Sequence, residues 1–333
     1  MKKILSLVVV LVLALSSAVF AEPMPGGTRL IFSTGGAQGT YYGFGGVLAG
    51  KISEKTSTKV TVIASGGSKA NIEAMSDGDA QLGFTQSDVG AYAFKGTRLF
   101  EGERVRDFST VANLYMEQVQ IVTLDPAIKT VADLKGKNVS VGAAGSGVYF
   151  NAVDILKVYG LDIDKDIKPT YQSFGDSVEA LQDGKIDAAF IVAGAPTTAV
   201  TSLATTKKVY LVGVDDEHIL KLNVESPYYN KAVLTKDTYA SLDDDVITVA
   251  VGAVVIARDD VSEADVYNFL YGIFENKDEI TAAHAKGAEL DLEFAAKYTA
   301  VPYHPGAVKY YGEKGMKVRG KVIDNGADAG EEE

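Results

Sequence analysis

The stretch Thr28-Arg29-Leu30-Ile31-Phe32-Ser33-Thr34-Gly35-Gly36-Ala37-Gln38-Gly39-Thr40-Tyr41-Tyr42 decides the fold. A short apolar run breaks into a glycine-rich turn, and beyond it Val47, Leu48 and Ile52 take up helical spacing. The unit then recurs. Val60 to Ala64 precedes a helix around Ile72 and Met75, and Gln81-Leu82-Gly83-Phe84 leads into a helix from about Ser87 to Phe94. Strands alternating with helices of this length predict an α/β fold built on a mainly parallel sheet with helices on its faces.

Outward from this segment, the series restarts after a stretch near Val111 to Leu124. Asn138-Val139-Ser140-Val141-Gly142 precedes a helix from about Gly147 to Tyr159, Thr170 to Phe174 a helix around Val178 to Leu181, and Ile186 to Val192 a helix near Thr197 to Leu203. That is a second α/β lobe. A third stretch has an apolar strand, Val246 to Ala257, and a helix with Val266, Phe269, Leu270, Ile273 and Phe274 on one face. It alternates too little to be a third domain. The expected arrangement is a discontinuous lobe one, residues 22–117 plus 225–320, around a lobe two of residues 118–224. Two crossings between lobes make a hinge.

The N-terminus predicts export. Lys2 and Lys3, an apolar run from Ile4 to Leu15, and small residues at Val19 and Ala21 before Glu22-Pro23 read as a cleaved signal peptide over residues 1–21. The apolar run falls short of the roughly 20 residues that cross a bilayer. The expected location is periplasmic or otherwise extracytoplasmic. The chain has no cysteine, which excludes disulfides, thiolate zinc sites, cysteine nucleophiles and lipid attachment at a cleavage-site cysteine. Loss of Lys2 and Lys3 takes the formal net charge from −12 to −14, which speaks against a nucleic-acid partner. Part of the acidity lies in the end of the chain, where residues 321–333 read as a disordered tail with no assigned function.

Four loops fall where a strand ends and a helix begins: Thr34 to Tyr42, Ser65 to Asn71, Gln86-Ser87-Asp88, and Gly142 to Gly147. In open parallel sheets these loops form the binding crevice, and helix N-termini there offer free N–H groups and about half a unit of positive charge. Glycines admit a close ligand, and the Ser, Thr, Asn and Gln side chains add neutral hydrogen bonds. The loops therefore suit a small polar anion. Catalytic patterns are weak by comparison. The first loop has Thr34 where a dinucleotide fingerprint needs glycine, and Gly66-Gly67-Ser68-Lys69-Ala70 ends in Ala where an esterase elbow needs glycine. His218, His284 and His304 are far apart and form no metal-ligand pair, so they read as surface or capping residues. No catalytic residue, metal or cofactor is expected.

The loops with their flanking motifs resemble the TAXI family of TRAP transporter solute receptors. The similarity runs from about residue 28 to 318. It is carried by Thr34-Gly35-Gly36 with Gly39-Thr40-Tyr41-Tyr42, Gly66-Gly67-Ser68 with Asn71, Gln86-Ser87-Asp88, Asp133-Leu134-Lys135-Gly136-Lys137, and Gly145-Ser146-Gly147 with Asn151. Asp183 to Ala188, Gly194-Ala195-Pro196, and His304 to Ala307 ahead of Tyr310-Tyr311 complete it. The resemblance implies a two-lobed type II periplasmic-binding-protein clamshell that takes a small carboxylate, such as glutamate or a related acid, and delivers it to a TRAP-type membrane permease.

The candidate ligand-binding residues are Gly36, Gly39, Thr40, Tyr41, Ser68, Asn71, Gln86 and Ser87 on lobe one, and Ser146, Gly147, Tyr149, Asn151 and Pro196 on lobe two. The chain departs from the family in two places. Val148 and Tyr149 stand where many relatives have Thr after Gly-Ser-Gly, so an aromatic wall replaces a hydroxyl, and Lys69 is an unexpected base, read as a solvated residue at a helix start. The competing readings are a ligand sensor for a signalling kinase and an exported hydrolase using Ser68 or Ser146.

Overall fold

The computed structural model describes residues 21–322. The signal segment up to residue 20 and the acidic tail from residue 323 lie outside the described residues. Lobe one opens with β1 (Arg29–Ser33), α1 (Thr40–Lys55), β2 (Lys59–Ile63), α2 (Ser68–Ser76), β3 (Leu82–Gln86) and α3 (Ser87–Lys95). The chain then runs through β4 (Phe108–Thr123), β5 (Asn138–Ser140), α4 (Gly147–Val158), β6 (Lys168–Thr170), α5 (Phe174–Gln182), β7 (Ala188–Ala193), α6 (Thr198–Thr206), β8 (Tyr210–Val212), α7 (Asp216–Glu225) and β9 (Asn230–Leu234). It closes with β10 (Val246–Arg258), α8 (Glu263–Phe274), α9 (Lys277–Ala283), α10 (Leu292–Ala295) and α11 (Pro305–Glu313).

The strand order is β2-β1-β3-β10-β4-β7-β5-β6, with β8 on β4 and β9 on β10. β1 is parallel to β2 and β3, and β5 is parallel to β6 and β7, so each lobe holds one parallel group. The antiparallel strands β4 and β10 belong to both. β4 pairs with β10 up to Gln118 and with β7 from Gln118 to Thr123. β10 pairs with β9 up to Ala250 and with β4 from Ala250 to Arg258. Tyr229 packs in one buried cluster with Val119, Phe190 and Val249.

Burial explains why these segments fold as they do. Along β1, Leu30 and Phe32 are buried on alternate positions, whereas every residue of β3 and β7 is buried, as expected of strands covered on both faces. In α1, Tyr41, Phe44, Leu48 and Ile52 are buried at spacings of three and four, the face laid against the sheet. α3 stops at Gly96, which takes the left-handed conformation at φ 67°. Phe32 is fully buried between Phe84 and Phe269, with ring centroids 4.9 and 5.7 Å away. The carboxyl ends of β1, β2 and β3 therefore open toward those of β5 and β7.

Candidate functional site

Between the lobes lies a cleft of about 550 Å³, part of it open to solvent. Its lobe-one wall comes from the turn before α1 (Gly35, Gly36, Gly39, Thr40, Tyr41), the turn before α2 (Ser65 to Ser68) and Gln86 at the end of β3. The facing wall holds Ala143, Ser146, Gly147 and Val148 at the start of α4, Ser173 and Phe174 at the start of α5, and Val192 and Ala193 on β7. Four helix N-termini thus converge on one space, each able to present free N–H groups and partial positive charge. The backbone turns this requires use glycine where φ is positive, at Gly67 (φ 107°) and Gly142 (φ 88°).

The lobes meet over the cleft. The Ala70 N–H donates to the Gly145 carbonyl at 3.1 Å, and the Ala199 N–H to the Gln38 carbonyl at 3.3 Å. Thr40 Oγ1 donates to the Gly194 carbonyl at 2.8 Å. Gly147 comes so close to Gln86 that a Cβ there would lie 2.2 Å from Gln86 Oε1. This is a closed clamshell.

The structure places Gly36, Gly39, Thr40, Tyr41, Ser68, Gln86, Ser146 and Gly147 on the cleft lining. Gln86 Oε1 and Ser146 Oγ are buried and have no hydrogen-bond partner among the described residues. Asn71 lies outside the lining and is fully buried. Its Nδ2 donates to the carbonyls of Thr34 (2.6 Å) and Phe84 (2.7 Å), while Oδ1 accepts from Ser33 Oγ (2.7 Å) and Ser65 Oγ (2.5 Å). It pins the two loops to β3. Ser87 Oγ accepts from the Gly252 N–H at 2.9 Å, tying α3 to β10. Asn151 faces the seam behind the cleft, donating to Asp88 Oδ2 (3.1 Å) and the Tyr229 hydroxyl (2.9 Å).

Tyr149 is absent from the cleft lining and instead lines an adjoining recess with Lys69, Glu73 and Tyr171. Val148, one residue earlier, takes the place on the cleft wall. Pro196 is exposed and absent from the cleft lining, which Val192 and Ala193 of β7 reach instead. Lys69 is half-buried, lies over the Phe100 ring and pairs with Glu73 one helical turn on, outside the cleft lining. None of the histidines lines the cleft. His304 Nδ1 accepts from the Gly306 N–H to cap α11, and His284 Nδ1 accepts from the Lys286 N–H.

Sequence reasoning missed Glu117. It lies on β4 beside the crossing, 2% exposed, and lines the cleft. The Tyr41 hydroxyl donates to its Oε2 at 2.6 Å, and Tyr41 stacks on Phe84 at 4.5 Å. Burial pushes the Glu117 carboxyl well above the usual range, and the negative Asp88 adds to the shift; the Tyr41 hydrogen bond and the charge of Lys286 oppose it. The available signal was a single acid, Met116-Glu117-Gln118, inside a long strand that is otherwise uncharged.

The chain matches a family described as the NMT1-like family over residues 32–315. Among solved structures, a protein from Bordetella bronchiseptica RB50 is similar at 16% identity and a TM-score of 0.53, over 90% of this chain and 86% of that one. The periplasmic aliphatic sulphonate binding protein SsuA from Escherichia coli aligns at 19% identity over 86% of this chain and 84% of its own, with a TM-score of 0.45. The GluR0 ligand-binding core from Nostoc punctiforme, solved in complex with L-glutamate, aligns at 16% identity over 78% and 99%, with a TM-score of 0.46.

Proposed function

The chain belongs to the NMT1-like family, and on that premise we propose that it is an extracytoplasmic solute receptor: it captures a small carboxylate by lobe closure and delivers it to a membrane permease. The observation that carries this reading is the convergence of four helix N-termini on a cleft held shut by contacts from both lobes. No Lys, Arg or His lies among the described lining residues, so an anion there is held by backbone N–H groups and by the side chains of Ser68, Gln86 and Ser146. Ligand bridging the two walls stabilises the closed state through contacts that the open state lacks. The motifs around these loops favour the TAXI group of receptors and hence a TRAP-type permease as the partner, with export through the expected signal peptide. A hydrolase is disfavoured because Ser68 and Ser146 have no histidine beside them in the cleft to act as base.

The test is a thermal-shift screen of purified residues 22–333, freed of co-purified ligand by unfolding and refolding, against amino acids, organic acids, keto acids and sugars. Ligand at about 100 times its dissociation constant adds roughly 2.7 kcal/mol to stability. A shift with a carboxylate is the expected result. A response to sugars alone, or to none of the compounds, overturns the carboxylate-receptor reading.

A further inference from the structure

We propose that Glu117 forms an ammonium subsite in the floor of the cleft, so that the ligand is an amino acid and not the corresponding deaminated acid. This rests on reading the cleft as a ligand site and names the class of ligand it takes.

Glu117 is the one acidic residue among the described residues that line the cleft, and it stands in a wall otherwise made of groups that favour an anion. Its Oε2 is engaged by Tyr41, whose single hydroxyl hydrogen is spent in that bond. Oε1 has no protein partner among the described residues. A buried carboxylate needs either a proton or a cation. Lys286 is the nearest source of positive charge, but its Nζ is paired with Glu289, and it lies 5.6 Å over the Tyr115 ring, outside the cleft lining. The remaining titratable groups around Glu117 are Tyr41, Tyr115 and Asp88, none of them cationic. In the empty site a proton can meet this need; in the bound state a ligand ammonium takes its place, a charge that no described residue of the cleft lining supplies. An amino acid satisfies both ends of the cavity at once, with its carboxylate at the helix N-termini and its ammonium on Glu117. A dicarboxylate or keto acid sets a second negative or merely polar group against it.

The charge balance fixes a second observable. Burial and the charge of Asp88 favour the protonated form of the empty-site Glu117, while the amino acid arrives as its ammonium form. Binding forms the ammonium–carboxylate pair and releases the Glu117 proton to solvent, so amino-acid affinity rises with pH below the free-site pKa.

The experiment is calorimetric titration of the ligand-free full mature chain with matched pairs: glutamate and 2-oxoglutarate, alanine and pyruvate, phenylalanine and phenylpyruvate. Each pair is run at pH 6 and pH 8 in two buffers of different ionisation heat. The expected result is that the pair that binds prefers its amino acid at least tenfold, with proton release, and that Glu117→Gln removes most of that preference. Equal or tighter binding of the oxo acid to the wild type overturns the proposal, and this arm needs no variant to fold. So does an unchanged preference in a folded Glu117→Gln. If neither member of any pair binds while a carboxylate without an ammonium group does, this inference is overturned and the receptor reading stands; if only sugars bind, the carboxylate reading has failed and this inference falls with it.

Discussion

Gly147 shows how little room the closed cleft leaves a single residue. A methyl group there meets Gln86 Oε1 at 2.2 Å and Ser68 Oγ at 3.0 Å, and both belong to the opposite lobe. Separating the two walls would relieve that conflict. Gly147→Ala is therefore expected to weaken ligand binding more than tenfold, about 1.4 kcal/mol, while the ligand-free urea midpoint stays within error of wild type. Normal affinity in the variant would show that Gly147 does not approach Gln86 in the bound state. At this scale the sequence reveals chemistry better than direction. The Gly-rich loops and their hydroxyls were legible, because a strand end followed by glycine and an N-cap residue has few other uses. Asn71 and Asn151 were read as ligand contacts, yet they bond loop carbonyls and a buried Asp–Tyr pair, respectively. Which way an amide points depends on neighbours brought in from 6 to 78 positions away along the chain. Glu117 was passed over because an acid within a strand is usually on a solvated face, and only the sheet shows that this one is covered.

Between helices, the seam where α3 meets α4 is the feature with a pH signature. Asp88, in the first turn of α3, is fully buried, accepts from Asn151 on α4, and has a second oxygen with no partner among the described residues. Around it stand Asp154, Arg98, Tyr92 and Tyr229, with Arg98 3.2 Å from Asp154 and the Tyr229 hydroxyl donating to Asp154 at 3.2 Å. Burial pushes Asp88 up to about 7, with the charge of Asp154 adding to the shift against the opposing Val89 N–H bond. An unfolded aspartate loses its proton near pH ~3.9. Between those values the folded chain holds a proton that the unfolded chain has released, so stability falls as pH rises through this window and levels off above about 7. The slope is at most about tenfold in the folding equilibrium per pH unit. Asp88→Asn is expected to lose less stability than wild type between pH 5 and pH 8 in urea titrations; equal losses would remove Asp88 from the linkage. The helices themselves were legible, since α1, α3, α4 and α8 carry clear apolar faces or capped starts. β9, with four of its five residues exposed or half-buried, had no such pattern to read.

For the molecule as a whole, the two shared strands decide how the lobes unfold. β4 and β10 pair along Phe108–Gln118 and Ala250–Arg258, and each then continues into the second lobe to meet β7 and β9. The sequence showed two α/β lobes but not this sharing, because a strand divided between two cores looks like one long apolar run. Separating the lobes would strip partners from both strands, leaving buried backbone groups unpaired. The chain is therefore expected to unfold in one cooperative transition, without an intermediate in which a single lobe persists. A local reporter makes this testable. The chain has no tryptophan, and Tyr210 sits on β8, paired with Thr123 of β4 in lobe two, so Tyr210→Trp reads that lobe alone. Phe32→Ala empties the centre of lobe one between Phe84 and Phe269, a change that costs about 3–5 kcal/mol. In the double variant, the lobe-two fluorescence midpoint in urea should fall together with the far-ultraviolet circular dichroism midpoint. A fluorescence midpoint that stays at its Tyr210→Trp value while the dichroism splits into two steps would mean that the lobes are held only by contact across the cleft. The hinge would then be a flexible tether, and closure would lose the fixed axis that β4 and β10 give it.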